Sequence, residues 1–105
     1  MAVYRVNENE FEDEVLKAKQ LVVVDFNADW CGPCRMLGPV LEELSEEEKD
    51  VKFVSVNVDD NEAVAEKFGV FSIPCVVFVK DGKEVNRSVG FVPKSAIADI
   101  LKDLK

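Results

Sequence analysis

The chain of 105 residues has no histidine, only three cysteines, few basic residues and no apolar run long enough to cross a membrane. A membrane span needs about 18 or more consecutive apolar residues. The longest stretches here, around Leu21 to Val24 and Cys75 to Val79, are strand-sized. The 13 basic residues are outnumbered by 21 acidic ones, giving a net charge of -8, which repels nucleic acid phosphates and anionic lipid alike. Nucleic acid and membrane surfaces are therefore not expected partners. Three cysteines are odd in number and too few for a disulfide scaffold, so a close pair points to redox or metal chemistry. The start, Met1-Ala2-Val3-Tyr4-Arg5, carries no basic segment followed by an apolar stretch, so the expected address is the cytoplasm.

What is present suits one ordinary globular domain over 1–105, with 48% hydrophobic residues to build a core. Repeats, linkers and low-complexity tracts are not visible. Val3 to Val6 alternates as a short strand, and Phe11, Val15 and Ala18 then recur at helical spacing. Leu21 to Phe26 is β-branched and nearly continuous, the pattern of a strand buried on both faces. From Cys34 onward, Leu37, Val40, Leu41 and Leu44 mark one helical face and a run of glutamates the other, with Pro39 placed to kink the helix. The acidic run from Glu42 to Asp50 reads as a solvated face.

Val51 to Val58 is the next strand, and Ala63, Val64 and Phe68 form a short helix closed by Gly69. Two final strands flank Lys80-Asp81-Gly82-Lys83, because Asp-Gly accepts positive φ at low cost. Ile97, Ile100, Leu101 and Leu104 end the chain as a helix opened by Pro93. The order is βαβαβαββα. Helical crossovers imply parallel neighbours and the hairpin an antiparallel edge, so the fold class is α/β with a central mixed sheet and helices on both faces.

The chemistry concentrates in Trp30-Cys31-Gly32-Pro33-Cys34, placed just after a buried strand and at the start of a helix. There, unsatisfied backbone N–H groups and the positive end of the helix dipole favour thiolate over thiol at the first cysteine. Cys31 is the expected nucleophile. Cys34, one turn further in, can attack a mixed disulfide on Cys31 and release the substrate reduced. Gly32 lets the loop turn and Pro33 fixes φ, holding the dithiol in a narrow geometry. The competing reading is half of a zinc site, but zinc wants a second Cys or His pair, and the chain has no His; no metal is expected.

Val24-Asp25-Phe26, Trp30 to Cys34, Ile73-Pro74 and Val89-Gly90 resemble signatures of the thioredoxin family in order and spacing, over the whole chain. The resemblance implies the thioredoxin fold and protein-disulfide reduction. No bound cofactor is implied; electrons would come from NADPH through thioredoxin reductase, or by a ferredoxin-linked route. The partners implied are that reductase and disulfide-containing client proteins, with the chain acting as a monomer. Asp25 interrupts an apolar strand, where desolvation would raise its pKa and make it a proton acceptor for Cys34. Pro74 is implied to be a cis-proline shaping the substrate groove. Trp30, Gly32, Pro33, Ile73, Val89, Gly90 and Phe91 would form an apolar rim that binds substrate around Cys31.

Three departures from the family pattern stand out. Many bacterial relatives carry a lysine facing the buried acid, where this chain has Ser55. Lys52 cannot replace it, because positions 52 and 55 point to opposite sheet faces. A raised Asp25 pKa without a compensating cation is expected, with Ser55 or water passing the proton. Asn27 stands where an aromatic is common, which would loosen packing beneath the site. Cys75 stands where threonine is usual. It is either a small buried hydrophobe or a third thiol near Cys31, able to form an alternative disulfide or join a metal or cluster site. Beside the reductase reading stand a non-catalytic binding subunit of this fold and an oxidase or isomerase; the Gly-Pro between the cysteines resembles reducing members.

Overall fold

The computed structural model describes residues 3–105. Met1 and Ala2, part of the stretch from which the cytoplasmic address is expected, lie outside the described residues. Five strands form one sheet: β1 (Val3–Arg5), β2 (Val22–Asn27), β3 (Lys52–Asn57), β4 (Cys75–Lys80) and β5 (Lys83–Val89). Their spatial order is β1-β3-β2-β4-β5. β1 and β2 run parallel to β3, whereas β4 is antiparallel to β2 and to β5. The helices are α1 (Gly32–Glu47), α2 (Glu62–Lys67) and α3 (Lys94–Leu104). The expected mixed sheet is therefore present, with β2 at its centre.

Alternation along the central strands divides the core into two layers. Val22, Val24 and Phe26 face Phe11, Val15, Val64 and Ala65 on one side. Val23, Phe53, Val76 and Phe78 face Leu37, Leu41 and Leu44 of α1 and Ile97 and Leu101 of α3 on the other. Both faces of β2 are thus covered, which explains its continuous apolar run. At the hairpin Asp81 has φ 53° and Gly82 φ 78°, the left-handed pair that an Asp-Gly turn supplies. A Cβ on Gly82 would lie 3.0 Å from the Leu16 carbonyl oxygen, so the hairpin tip also needs glycine for close approach.

The segment after β1 differs from expectation in kind. Instead of an α-helix it forms a five-residue π turn, Glu12–Leu16, with Lys17 N–H donating to the Glu12 carbonyl at 2.9 Å. The Glu14 carbonyl accepts from Lys52 Nζ at 2.7 Å, and the Glu14 carboxylate takes the same ammonium at 2.8 Å. That bond occupies the oxygen a regular helix would offer to residue 18. It also places Lys52 on the π-turn face of the sheet, opposite Asp25. Helix α1 runs continuously from Gly32 to Glu47 through Pro39.

Candidate active site

Cys31 caps α1: its φ of -89° and ψ of 112° are extended, and its sulfur accepts the Cys34 backbone N–H at 3.2 Å. Strand β2 ends at Asn27, and the intervening loop is pinned by Arg35 Nη1 donating to the Asp29 carbonyl at 2.7 Å. Cys31 and Cys34 are joined as a disulfide, with Cα atoms 5.2 Å apart. The pair packs with Ala28, Val58 and Ile73 in a small apolar cluster of its own. Sequence spacing and local helix start thus bring the two sulfurs together with a backbone donor aimed at the first.

Asp25 is in register with Ser55, its parallel partner on β3. It is only 5% exposed, and burial pushes its carboxyl up to about 6, an increase partly offset by a hydrogen bond from Asn27. The Asn27 amide nitrogen donates to Asp25 Oδ2 at 3.2 Å, to the Asp25 carbonyl at 3.0 Å and to Ser55 Oγ at 2.8 Å. Asp25 Oδ1 is buried without a partner among the described residues. Asp25, Asn27, Ser55 and Cys34 line one open groove of about 960 Å³, walled by Val3, Pro39 and Leu41 and edged by Arg5, Arg35 and Glu42. The rise in the Asp25 pKa agrees with the sequence reading. Ser55, however, bonds Asn27 rather than Asp25, so a direct hydrogen bond from Ser55 to the acid is not formed, and Asn27 lines the open groove while its amide binds Asp25 and Ser55.

The rim residues divide into linked groups. Ile73 touches the cysteine cluster and is joined to Pro74 by a cis peptide. The Pro74 carbonyl accepts the Gly90 N–H at 2.7 Å, which ties the two loops together beside Val89, the register partner of Cys75. Gly90 has φ 86°, a left-handed value that glycine adopts without strain. Trp30 is 69% exposed and donates its indole N–H to Asp59 at 2.9 Å. Val89 and Phe91 are exposed, Pro33 is exposed, and Gly32 is half-buried.

A family model for thioredoxin matches residues 2–103. The chain belongs to the thioredoxin family. It is 44% identical over 102 residues to the thioredoxin of Bacillus subtilis, covering 96% of each chain. Similarity to thioredoxin 1 of Synechococcus elongatus is 46% over 97 residues, 91% of each chain. The thioredoxin of Pyropia yezoensis is 44% identical over 102 residues, covering 96% of this chain and 95% of that one. Membership and the paired cysteines make the chain a thiol–disulfide oxidoreductase whose redox couple is built from its own residues. Disulfide substrates and a reductase follow from the family in general terms. No helix among the described residues is long and apolar enough to cross a membrane.

Within this thioredoxin framework Cys75 is not a third member of the redox site. It is 1% exposed and packs in the layer with Phe11, Val15 and Val77, separate from the cluster that holds Cys31 and Cys34. Alternation explains this: Cys75 pairs with Phe26 and Val76 with Asp25, so the thiol and the acid point to opposite faces. Burial pushes its thiol up, against the partial relief of the Arg87 guanidinium. No cluster of three metal-ligating side chains occurs among the described residues. Two residues beyond those expected from the sequence join the site: Asp59, which accepts the Trp30 indole N–H, and Asn57, whose Oδ1 accepts the Asp59 and Asp60 N–H groups at 2.8 and 3.3 Å. The run Asn57 to Asn61, rich in Asn and Asp, was the available signal for an ordered turn.

Proposed function

We propose that the chain is a protein-disulfide reductase in which Cys31 attacks a client disulfide and Cys34 resolves the mixed disulfide. The observation that carries this reading is the Cys34 N–H donated to the Cys31 sulfur at the start of α1. A backbone donor and the positive helix end stabilise negative charge on Cys31 in the reduced protein. In the first step the Cys31 thiolate bonds one client sulfur and the other client sulfur leaves as thiolate. Cys34 then gives its proton to Asp25, attacks Cys31, and the second client thiolate leaves; the protein is oxidised and the client reduced by two electrons.

A carboxyl titrating near 6 is suited to take a proton from a thiol at neutral pH and to return it. The groove beside Asp25 gives water a path to that carboxyl. On the opposite side, Trp30, Gly32, Pro33, Ile73, Pro74, Val89, Gly90 and Phe91 form the surface that receives the client. Ile73 lies before β4 begins, outside the sheet ladder, so its backbone can pair with an extended client segment. Re-reduction comes from NADPH through thioredoxin reductase, in the reducing environment of the cytoplasm.

The test is NADPH consumption with a thioredoxin reductase and an oxidised protein substrate. Turnover is expected, and Cys31→Ser should abolish it. Client binding with no turnover by the unaltered protein would overturn the reductase reading in favour of a binding subunit. A reduction potential well above the roughly -270 mV typical of thioredoxin would instead favour an oxidase.

A further inference from the structure

Asn27 occupies an unusual position for a residue expected to weaken the site. Its amide nitrogen faces three acceptors at 2.8 to 3.2 Å: the Asp25 carbonyl, Asp25 Oδ2 and Ser55 Oγ. The Asp25 carbonyl can only accept, which fixes the amide orientation and places NH2, not C=O, against the carboxyl. The side chains of Asp25 and Asn27 share one sheet face because they are two residues apart on β2. The charged or titratable groups around Asp25 are Arg5 from β1, Asp29 from the loop, Cys34, Arg35 and Glu42 from α1, and Cys75 from β4. None of them is hydrogen-bonded to Asp25 among the described residues.

We propose that Asn27 is a positioning residue for proton transfer at Asp25, clamping Oδ2 against β3 so that the proton is taken up and released at Oδ1. An oxygen that receives an N–H is the less basic of the two, since that bond is stronger to a carboxylate or carbonyl oxygen than to a protonated hydroxyl. Oδ1, buried and without a partner, is the oxygen left for exchange. The step is a proton transfer alone: the Cys34 S–H bond breaks, an O–H bond forms on Oδ1, and Cys34 becomes the thiolate. Asn27 and Ser55 thereby do with neutral hydrogen bonds part of what a facing lysine does with charge. The inference rests on Asp25 being the proton acceptor for Cys34, and the experiment separates the two.

Asp25 is followed by carbon-detected NMR across pH in the unaltered protein, Asn27→Leu, Asn27→Val and Asn27→Gln, with the pH profile of mixed-disulfide resolution measured in parallel. Losing a hydrogen bond to a charged acceptor should raise the Asp25 midpoint in Asn27→Leu by about one pH unit or more. Resolution should shift to higher pH by the same amount, and Asn27→Gln should recover part of both. The valine variant, which suits a strand, carries the test if leucine prevents folding. An unchanged or lowered midpoint in a folded apolar variant overturns the clamp. A raised midpoint with an unmoved resolution profile overturns the acceptor role of Asp25 and, with it, the proposal.

Discussion

Replacing Asp25 by asparagine should make the protein more stable at neutral pH. Asp25 is buried on β2 with one carboxyl oxygen unpartnered. Its folded pKa of about 6 lies above the ordinary 3.8 because desolvation penalises the charged form. A carboxyl whose folded pKa is raised binds its proton more tightly in the folded chain than in the unfolded one. Its favourable contribution is therefore complete below pH 3.8 and is lost as pH rises through 6. Across that interval the loss amounts to about 3 kcal/mol. Asparagine has nearly the same shape, can turn its oxygen toward Asn27, and carries no charge to bury.

The variant should thus exceed the parent by about 3 kcal/mol at pH 7.5, and by less than about 1 kcal/mol at pH 4. For a domain of this size that corresponds to a rise in Tm on the order of 10 °C at the higher pH. Thermal unfolding of the oxidised protein, followed by circular dichroism between pH 4 and pH 8, reads the difference directly. A variant no more stable than the parent at pH 7.5, or a stability difference that does not change with pH, would refute the burial argument. On the proposed mechanism the same variant should also resolve mixed disulfides more slowly, because the group assigned to accept the Cys34 proton is gone.

Cys75 should resist alkylation in the folded, reduced protein while Cys31, the attacking thiol on the proposed mechanism, reacts, as mass mapping will show; Cys75→Val should leave turnover intact, and Cys75→Ser should cost about 1 kcal/mol or more by burying a hydroxyl in a largely apolar layer with only Arg87 nearby. Asp59→Ala removes the acceptor of the Trp30 indole, so tryptophan emission should change and KM for protein disulfides should rise with kcat little altered. Gly82→Ala should lower stability by about 1–3 kcal/mol in urea unfolding, because it combines positive φ with a Cβ against the Leu16 carbonyl.

Much of this fold is legible because its signals are local. The unbroken run before Asp25 announces a strand covered on both sides, Asp81-Gly82 announces a hairpin, and a Cys-Gly-Pro-Cys segment after a strand announces a helix start that holds two sulfurs. The raised pKa of Asp25 is equally local, since it needs only a carboxyl in an apolar strand. The register of Ser55 with Asp25 follows the sequence, but side-chain partners are what the sequence hides. That the Ser55 hydroxyl takes the Asn27 amide, and that Trp30 finds Asp59, depend on contacts 28 and 29 residues apart in the chain. The π turn at Glu12 is hidden for the same reason, since Lys52 reaches it from 38 residues away. Cys75 shows the converse: once β4 is paired with β2, alternation alone decides which face its thiol takes.

On the proposed mechanism the two sides of the cysteine pair perform different tasks. A client must be held by apolar contact and backbone pairing, which favours the dry rim around Ile73, Pro74 and Gly90. Its release requires a proton to leave Cys34, which favours a polar, wettable path. With Asp25 on the α1 face of β2 and the groove between α1 and the β1 edge, the proposed route would let the proton depart without disturbing the bound client. The acid persists at a stability cost of about 3 kcal/mol at neutral pH, which is intelligible if the resolving thiol needs an acceptor whose pKa lies near the working pH. On the proposed clamp Asn27 sets how near: its amide holds down a carboxyl that burial pushes up to about 6, and its loss would shift resolution to higher pH.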